Sequence, residues 1–470
     1  MRKITFRLIV PLLLVVVLSF VFLGIFVSRK ITEDSIVNLL ESERNLRMDI
    51  GELRAGIFGG KVVLSDILLS PRDKYADNAT STAERSDPVE SQTRIRISDA
   101  TIKVRLIDFL FGRLSIDALI VDGLDIAYAI DEEGNHTLDP MLDPPKYVKG
   151  ALNPEYEEKR KRRELAKARR KMKSAEENLV DDSFNVSDMP MATKLKSLVL
   201  RDSIVSIKLI KSNNRIAFTD IKGSVSDLDV DPLDLIRHNS AYLELSGNLS
   251  VTGPQGEIEY ASLNLQADGK IQPFDSQTGF LNPDLITDLT VKKGSRIMSL
   301  PIASKLASML DQLEEAGLDI SVIEEILVVN EDSKFRLGLR NYILRAVEPL
   351  PVIINGNRLV IDEGAWLNTA SDAHLINASF TFSEKISNST FTRANKMLSE
   401  IVGKSVAGPV AELLFTPVTK EGRIHIPFVS NGDFNRPKVR VSVALRDLAD
   451  AVKESLKKNP LSLLKGLLDR

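Results

Sequence analysis

The sequence contains no cysteine. Disulfides, thiolate-bound zinc and thiol nucleophiles are excluded together, and a chain without thiols suits an oxidising compartment. One tryptophan, Trp366, and an aromatic content of 6% leave few rings for stacking sugars or bases. The four histidines, His136, His238, His374 and His425, are scattered, with no H-E-x-x-H spacing among them. No G-x-S-x-G, G-x-x-x-x-G-K-[ST] or G-x-G-x-x-G motif occurs. Asp227, Asp229, Asp231 and Asp234 lack the glycine and distal glutamate of a calcium loop and read as solvated strand and turn carboxylates. With a net charge of −3, no global basic field attracts nucleic acid. No catalytic, cofactor-binding or metal-binding residue is expected, and the chain does not read as an enzyme.

What is present begins with a membrane signal. Leu8 to Val27 carries no charge, and about 20 residues of helix at roughly 1.5 Å each cross a hydrocarbon core of about 30 Å. The run ends Ile25-Phe26-Val27-Ser28-Arg29-Lys30, without the small-residue site of a cleaved signal peptide. Residues 1–30 are therefore expected to be a retained transmembrane anchor. Arg2, Lys3 and Arg7 precede the span, whereas Arg29 and Lys30 are diluted by Glu33 and Asp34. That bias favours a cytoplasmic N-terminus, with the remaining body on the far side.

Beyond the anchor the dominant pattern is alternation. Thr32 caps a short helix with Glu33 and Asp34 in its first turn. Lys61 to Ser70 then reads as a strand, Pro71 stops it, and the polar residues 71–93 are expected to form a mobile loop. From Arg94 to Arg105, Ile95, Ile97, Ile102 and Val104 alternate with polar neighbours. Leu114 to Gly123 and Leu124 to Ile130 read as two short strands. Similar alternation marks Tyr242 to Val251, Ala261 to Ile271, Arg423 to Val429 and Lys438 to Leu445. One apolar and one solvated face per strand is the signature of antiparallel meanders. The fold expected is mainly β with added helices: a long, twisted, largely antiparallel sheet behind one transmembrane helix.

Helical signals interrupt the strands. Residues 151–185 contain a strongly basic helix candidate carrying Lys159, Arg160, Lys161, Arg162, Arg163, Arg169, Arg170 and Lys171, with too thin an apolar stripe to pack closely. It reads as a projecting, solvated helix, a contact for anionic headgroups, or a dock for an acidic partner. Ser299 to Gly317 has good helical punctuation, a further helix is expected near 390–414, and amphipathic helices close the chain over 446–470. The intended organisation is thus an anchor (1–30), a first β segment (31–150), the basic helix (151–185), a β body (186–445) and the C-terminal helices (446–470).

Three segments carry a family resemblance. The first is LRAGIFGGKVVLSDILL, Leu53 to Leu69, a short turn followed by a strand behind an anchor. The second is IKVRLIDFLFGRLSIDALIVDGLDIAY, Ile102 to Tyr128, a strand, a leucine-rich turn ending in glycine and two more strands, followed by Asp131 to Asn135. The third is IPFVSNGDFNRPKVRV, Ile426 to Val441, a glycine-to-proline strand pair ahead of a final helix. The organisation resembles AsmA-like proteins of Gram-negative bacteria, with their TamB-type relatives. The basic helix departs from that pattern. The resemblance implies a sheet curled into an open groove with an apolar lining, and a role in phospholipid transport between envelope membranes or in outer-membrane maintenance. It implies an inner-membrane, single-pass protein with a periplasmic body, and no catalytic residues.

Alternation supplies a physical basis for that role. An apolar sheet face that curls inward accepts acyl chains at roughly 0.8 kcal/mol per buried CH₂. Candidate lining residues are Ile95, Ile97, Ile102, Val104, Leu243, Leu245, Leu263, Leu265, Val439, Val441 and Val443, and for each the competing role is an ordinary core covered by helices. The expected partners are a membrane and phospholipid. The rival reading is an anchored periplasmic scaffold that binds an envelope-assembly protein through the basic helix and carries no lipid.

Overall fold

The computed structural model describes residues 32–56, 60–72, 93–109, 111–131, 136–145, 147–148, 151–158, 160–161, 185–189, 191–254, 258–298, 326–341, 343–368, 373–433 and 436–441. The expected anchor, most of the loop 71–93, the helix 299–317 and the C-terminal helices lie outside these residues. Among the described residues no helix is long and apolar enough to cross a membrane. The chain divides into two compact units, the first up to Thr287 and the second holding nearly all described residues from Asp288 onward.

The first unit is mainly β. Helix α1 (Glu33–Glu43) is capped by Thr32, whose hydroxyl accepts from the Ser35 amide at 3.3 Å. Strands β1 (Leu46–Asp49) and β2 (Glu52–Gly56) both pair antiparallel with β3 (Lys61–Pro71). Then follow β4 (Arg94–Val104), a short helix α2 (Leu106–Phe109), β5 (Arg113–Ile130), β6 (Ala192–Leu209), β7 (Asn214–Val230), β8 (Asn239–Thr252) and β9 (Glu259–Phe274). Neighbours in this order pair antiparallel, except that β5 and β6 run parallel. The sheet is therefore mixed, and it does not close into a barrel. The two short strands expected over 114–130 are one strand of 18 residues.

Register aligns the apolar side chains of successive strands. One transverse row runs Val62, Ile102, Leu119, Leu198, Val225, Leu243. A second runs Leu69, Ile95, Ile126, Val205, Phe218, Leu249, Leu263. Such cross-strand neighbours are the unit of sheet stabilisation.

Strict alternation breaks once or more along each of β3 to β7, whereas β8 keeps it from Ala241 to Val251. In β3 the buried positions are Val62 and Leu64, then Ile67 and Leu69; in β4, Ile95 and Ile97, then Ala100 and Ile102; in β5, Leu119 and Val121, then Leu124 and Ile126. Each strand inserts one extra residue at the step. In β3, β5, β6 and β7 the inserted turn puts Asp66, Gly123, Asp202 and Asp220 at positive φ, 52°, 64°, 46° and 52°. The extra residue restores the phase, so the next apolar side chain returns to the same face; from β3 to β6 all four strands take the step together and keep their register across it, and it first appears as a β-bulge between β6 and β7. Aspartate tolerates the left-handed region better than most residues. Glycine suits position 123, where a Cβ would collide with the Ser98 side chain. The pairs Ser65–Asp99, Asp99–Asp122 and Asp122–Arg201 show these steps lying side by side, as one crease across four neighbouring strands.

The second unit is also β-rich. Strands β10 (Arg296–Met298) and β11 (Ile326–Val328) pair with each other. Strand β12 (Ile343–Ala346) pairs with β15 (Trp366–Asn368), and β13 (Leu350–Ile354) with β14 (Asn357–Ile361). Strand β16 (Ala373–Thr381) is central, bordered by β14 and β15 on one side and by β17 (Arg423–Asp433) on the other, and β18 (Arg436–Val441) follows β17. The helix expected near 390–414 is two helices, α3 (Glu384–Val402) and α4 (Lys404–Phe415), divided at Gly403 with φ 85°. Helix α3 is pinned to the sheet where the Ile424 amide donates to the buried Ser387 hydroxyl at 3.1 Å.

The crease makes a direct prediction. Asp66→Gly should leave stability within about 0.5 kcal/mol, because glycine accepts positive φ. Asp66→Val should cost about 1–2 kcal/mol, because a β-branched residue resists that conformation. Urea denaturation of the two variants checks this, and equal midpoints would remove the kink as a structural constraint.

Candidate functional site

The apolar face of the first unit is the one extended feature on which the sequence candidates converge. Its buried residues form one cluster drawn from β1 to β8. Among the described residues, the fully buried members outside the strands are only Ile36 and Leu40 of α1, with Leu138 and Met141 of a short turn. Among the described residues, α1 and the turn supply these four members of the cluster and the strands supply the others.

Burial is graded across the strands. Ile95, Ile97 and Ile102 of β4 are sealed, Ile97 being only 1% exposed. On β7, Phe218 is 7% exposed. Leu243, Leu245 and Leu249 of β8, and Leu263 and Leu265 of β9, are half-buried. Their packing against the sealed cluster makes the margin continuous with the core, with Leu243, Leu245, Leu249 and Leu265 in direct contact with it. The surface between them is shaped by backbone: Leu245 lies over Gly223, where a Cβ would meet its Cδ1 at 3.1 Å. At Gly247 a Cβ would meet the Phe218 ring at 3.0 Å, so the missing side chain makes room for that ring.

The candidates thus fall into three groups. Ile95, Ile97 and Ile102 are core, out of reach of any ligand. Val104, Leu243, Leu245, Leu263 and Leu265 are half-buried on the same unit. Val439 is half-buried in β18 of the second unit, Val441 ends that strand, and Val443 lies outside the described residues. Of the basic helix, residues 154–158 and 160–161 are helical, with Arg160 and Lys161 exposed and Arg160 paired with Glu157 at 3.7 Å. Lys159, Arg162, Arg163, Arg169, Arg170 and Lys171 lie outside the described residues.

Sequence reasoning missed β6 and β7, which contribute Leu198, Val205, Ile207, Ile216, Phe218, Ile221 and Val225 to the cluster. A signal existed: their apolar positions follow spacings of two broken by spacings of three. A search for strict alternation passes over such strands.

The polar candidates are committed to structural partners. Asp229 holds His238 Nδ1 at 2.8 Å and Lys194 at 3.3 Å, Asp231 accepts from the Leu233 amide at 2.9 Å, and Asp234 pairs with Arg237 at 3.9 Å. Asp227 occupies a bulge with φ 52°. His374 Nε2 contacts the Ser430 hydroxyl at 2.7 Å, His425 Nδ1 contacts the Thr381 hydroxyl at 2.9 Å, and His136 stacks on Tyr128. Among the described residues no three His, Asp or Glu side chains converge as metal ligands do. Burial, with the Lys420 charge nearby, holds the His425 imidazole below its ordinary pKa.

The turn closing β9 is braced by Asp275, whose carboxylate accepts from the amides of Thr278 at 2.8 Å and Gln277 at 3.0 Å. The Thr278 amide is the main cause of its lowered pKa, against an opposing effect of burial. No family model, no curated protein and no solved structure matches the chain. The resemblance to AsmA-like proteins rests on its three sequence segments alone.

Two predictions follow from the geometry. Ile97→Ala should cost about 2–5 kcal/mol and Leu245→Ala roughly 1 kcal/mol, because only the first opens a sealed cavity. Comparing their urea midpoints checks the gradient. Asp275 has a folded pKa below its unfolded value, so its contribution is present above about pH 4 and lost as pH falls through the folded value. Asp275→Asn should therefore flatten the acid side of the Tm-versus-pH curve, as read by circular dichroism.

Proposed function

We propose that this chain binds phospholipid acyl chains along the apolar face of its first unit, and thereby supports lipid transport or maintenance of the outer membrane. The observation that carries the reading is the graded face: in register over seven strands, β3 to β9, sealed at Ile97, and half-buried along Leu243, Leu245, Leu263 and Leu265. An ordinary core gains nothing from leaving a row of leucines half-exposed at roughly 25 cal/mol per Å². A row adjoining a preformed apolar surface offers an acyl chain a dry wall on one side. From Ala241 to Val251, β8 is about 33 Å long at roughly 3.3 Å per residue. One leaflet's acyl chains occupy about half of a 30 Å hydrocarbon core, so such a chain fits along the strand.

The proposed site is therefore narrower than the original candidate set. Leu243, Leu245, Leu263 and Leu265 line it, with Leu249 and Val251 extending the same face of β8. Ile95, Ile97 and Ile102 form the wall behind. The charge-free run Leu8 to Val27 is consistent with a membrane as the source of lipid.

Lipid extraction and native mass spectrometry of the full chain in mild detergent test the reading. Stoichiometric phospholipid is expected, and Leu245→Glu combined with Leu265→Glu should reduce it roughly tenfold or more, since a charge in an apolar site costs several kcal/mol. Near-unchanged circular dichroism should show that the fold survives. A folded wild-type chain without lipid, or a doubly charged variant that retains its lipid, would overturn the proposal.

A further inference from the structure

The hairpin that joins β6 to β7 carries three cations with no counter-charge. It runs Lys208-Leu-Ile-Lys-Ser-Asn-Asn-Arg215. Lys208 and Arg215 stand directly opposite each other in the antiparallel pair, on the polar face, because their neighbours Ile207 and Ile216 are buried in the core. Like charges in that position repel. Lys211 adds a third charge in the turn; it and Arg215 are exposed, and Lys208 is half-buried. Cations on neighbouring strands are matched: Arg72 with Glu41 at 3.6 Å, Arg94 with Asp125 at 3.0 Å and Arg201 with Asp122 at 3.8 Å. Among the described residues Lys208, Lys211 and Arg215 belong to no ion pair. The nearest carboxylates, Asp131 past the end of β5 and Glu259 two strands from Arg215, are both engaged elsewhere.

The turn itself is fixed. The Ile210 amide donates to the Ile130 carbonyl at 2.9 Å and the Asn213 amide to the Ile210 carbonyl at 3.3 Å, with Asn213 at φ 52°. Ile210, 44% exposed, stands at its tip. The surface that this tip meets follows from where the chain enters the sheet. Leu46, the first residue of β1, faces Pro71; Leu69 faces Ile95, Arg94 faces Ala127 and Ile130 faces Leu209. The chain therefore enters at the sheet end that bears the hairpin. Four residues separate Val27, the end of the charge-free run, from Thr32, and α1 adds 11 more. At full stretch the tether from Val27 to Leu46 is roughly 40 Å, whereas β6 is about 55 Å long. A tether shorter than the strand brings this end of the sheet close to any membrane that the run spans. Unpaired cations around one apolar side chain then suit anionic headgroups, each cation adding to the attraction.

We propose that the β6–β7 hairpin docks on anionic phospholipid headgroups through Lys208, Lys211 and Arg215, with Ile210 at the headgroup–acyl boundary. The headgroup charge offsets the repulsion between the facing Lys208 and Arg215. The hairpin's cations lie on the face opposite the acyl-chain site, so the proposal goes beyond that reading and shares with it only the membrane expected from Leu8 to Val27.

Because the sequence has no cysteine, a single introduced one is a unique probe. Ser212→Cys places a fluorophore in the turn, and Leu233→Cys, exposed past the far end of β7, is the reference. The full chain is placed in nanodiscs of phosphatidylcholine, with or without a minority of phosphatidylglycerol, that contain a headgroup-linked quencher. With phosphatidylglycerol, quenching at 212 should exceed that at 233 roughly fivefold or more. It should fall about threefold or more in phosphatidylcholine alone, or in about 0.5 M salt, where screening acts within about 4 Å. Lys211→Glu, outside the strand pairing, should remove most of the phosphatidylglycerol-dependent part. Lys208→Ser with Arg215→Ser should do the same and leave the urea midpoint unchanged or raised, because a facing like-charge pair is gone. Equal quenching at 212 and 233 overturns the proposal, as does quenching at 212 that ignores phosphatidylglycerol, salt and both variants. So does an emission change at 212 that an acidic peptide or single-stranded DNA produces in detergent while phosphatidylglycerol produces none. Leu245→Glu with Leu265→Glu should leave quenching at 212 unchanged, so the loss of bound lipid and the loss of headgroup contact are read separately.

Discussion

Everything in the first unit depends on keeping apolar side chains on one face of strands that are up to 18 residues long. Period-two geometry alone would do this on a flat ribbon, but long strands twist and must bend to cover their own apolar surface. The positive-φ kinks at Asp66, Gly123, Asp202 and Asp220 resolve the conflict. Each adds one residue, restores the phase of the next side chain and bends its strand at the crease. Their lateral alignment lets neighbouring strands bend together without losing register. The outer side of the crease stays polar, with the Ser65 hydroxyl donating to Asp99 at 2.6 Å and the Asn248 amide group to Asp220 at 2.9 Å.

That constraint also sets the gradient on which the functional reading depends. Near β3 to β5 the face packs against α1 and against itself, and the isoleucines there are sealed. Towards β8 and β9 some facing residues are small, Leu243 meeting Gly269 and Leu245 meeting Ala267, whereas Leu249 meets Leu263. Less apolar bulk reaches across from this margin, and the leucines remain half-buried. The same chemistry therefore serves two purposes along one row, a stable wall at one end and an accessible surface at the other. The β6–β7 hairpin lies at the Val251 end of this accessible margin, where Arg215 faces Thr252, so the two features are neighbours in the sheet.

Legibility in the sequence followed local regularity. Strands β3 and β4, and the cores of β8, β9 and β17, were readable because apolar and polar residues alternate over five residues or more. The cap of α1 was readable because Thr32 and the two acids after it are a local signal. Strands β6 and β7 were not, since a bulge every few residues breaks alternation into pieces too short to recognise. The strand over 113–130 was split in two for a related reason: Gly123 looks like a turn, and it is a positive-φ kink within a continuous strand. The facing charges Lys208 and Arg215 were invisible as a pair because the strands that carry them went unread, and only strand pairing sets them opposite each other.

By itself the sequence determined the absence of thiol chemistry, the charge-free N-terminal run and the predominance of one-sided strands. Each follows from composition or from contacts within a few residues. Which apolar residues became wall and which became margin was decided only by tertiary structure. Ile97 and Leu245 occupy equivalent alternating positions in their strands, yet one is sealed and the other half-exposed. The difference comes from what the sheet brings over them: burial is set by neighbours distant in sequence, and alternation records only the face on which a side chain stands.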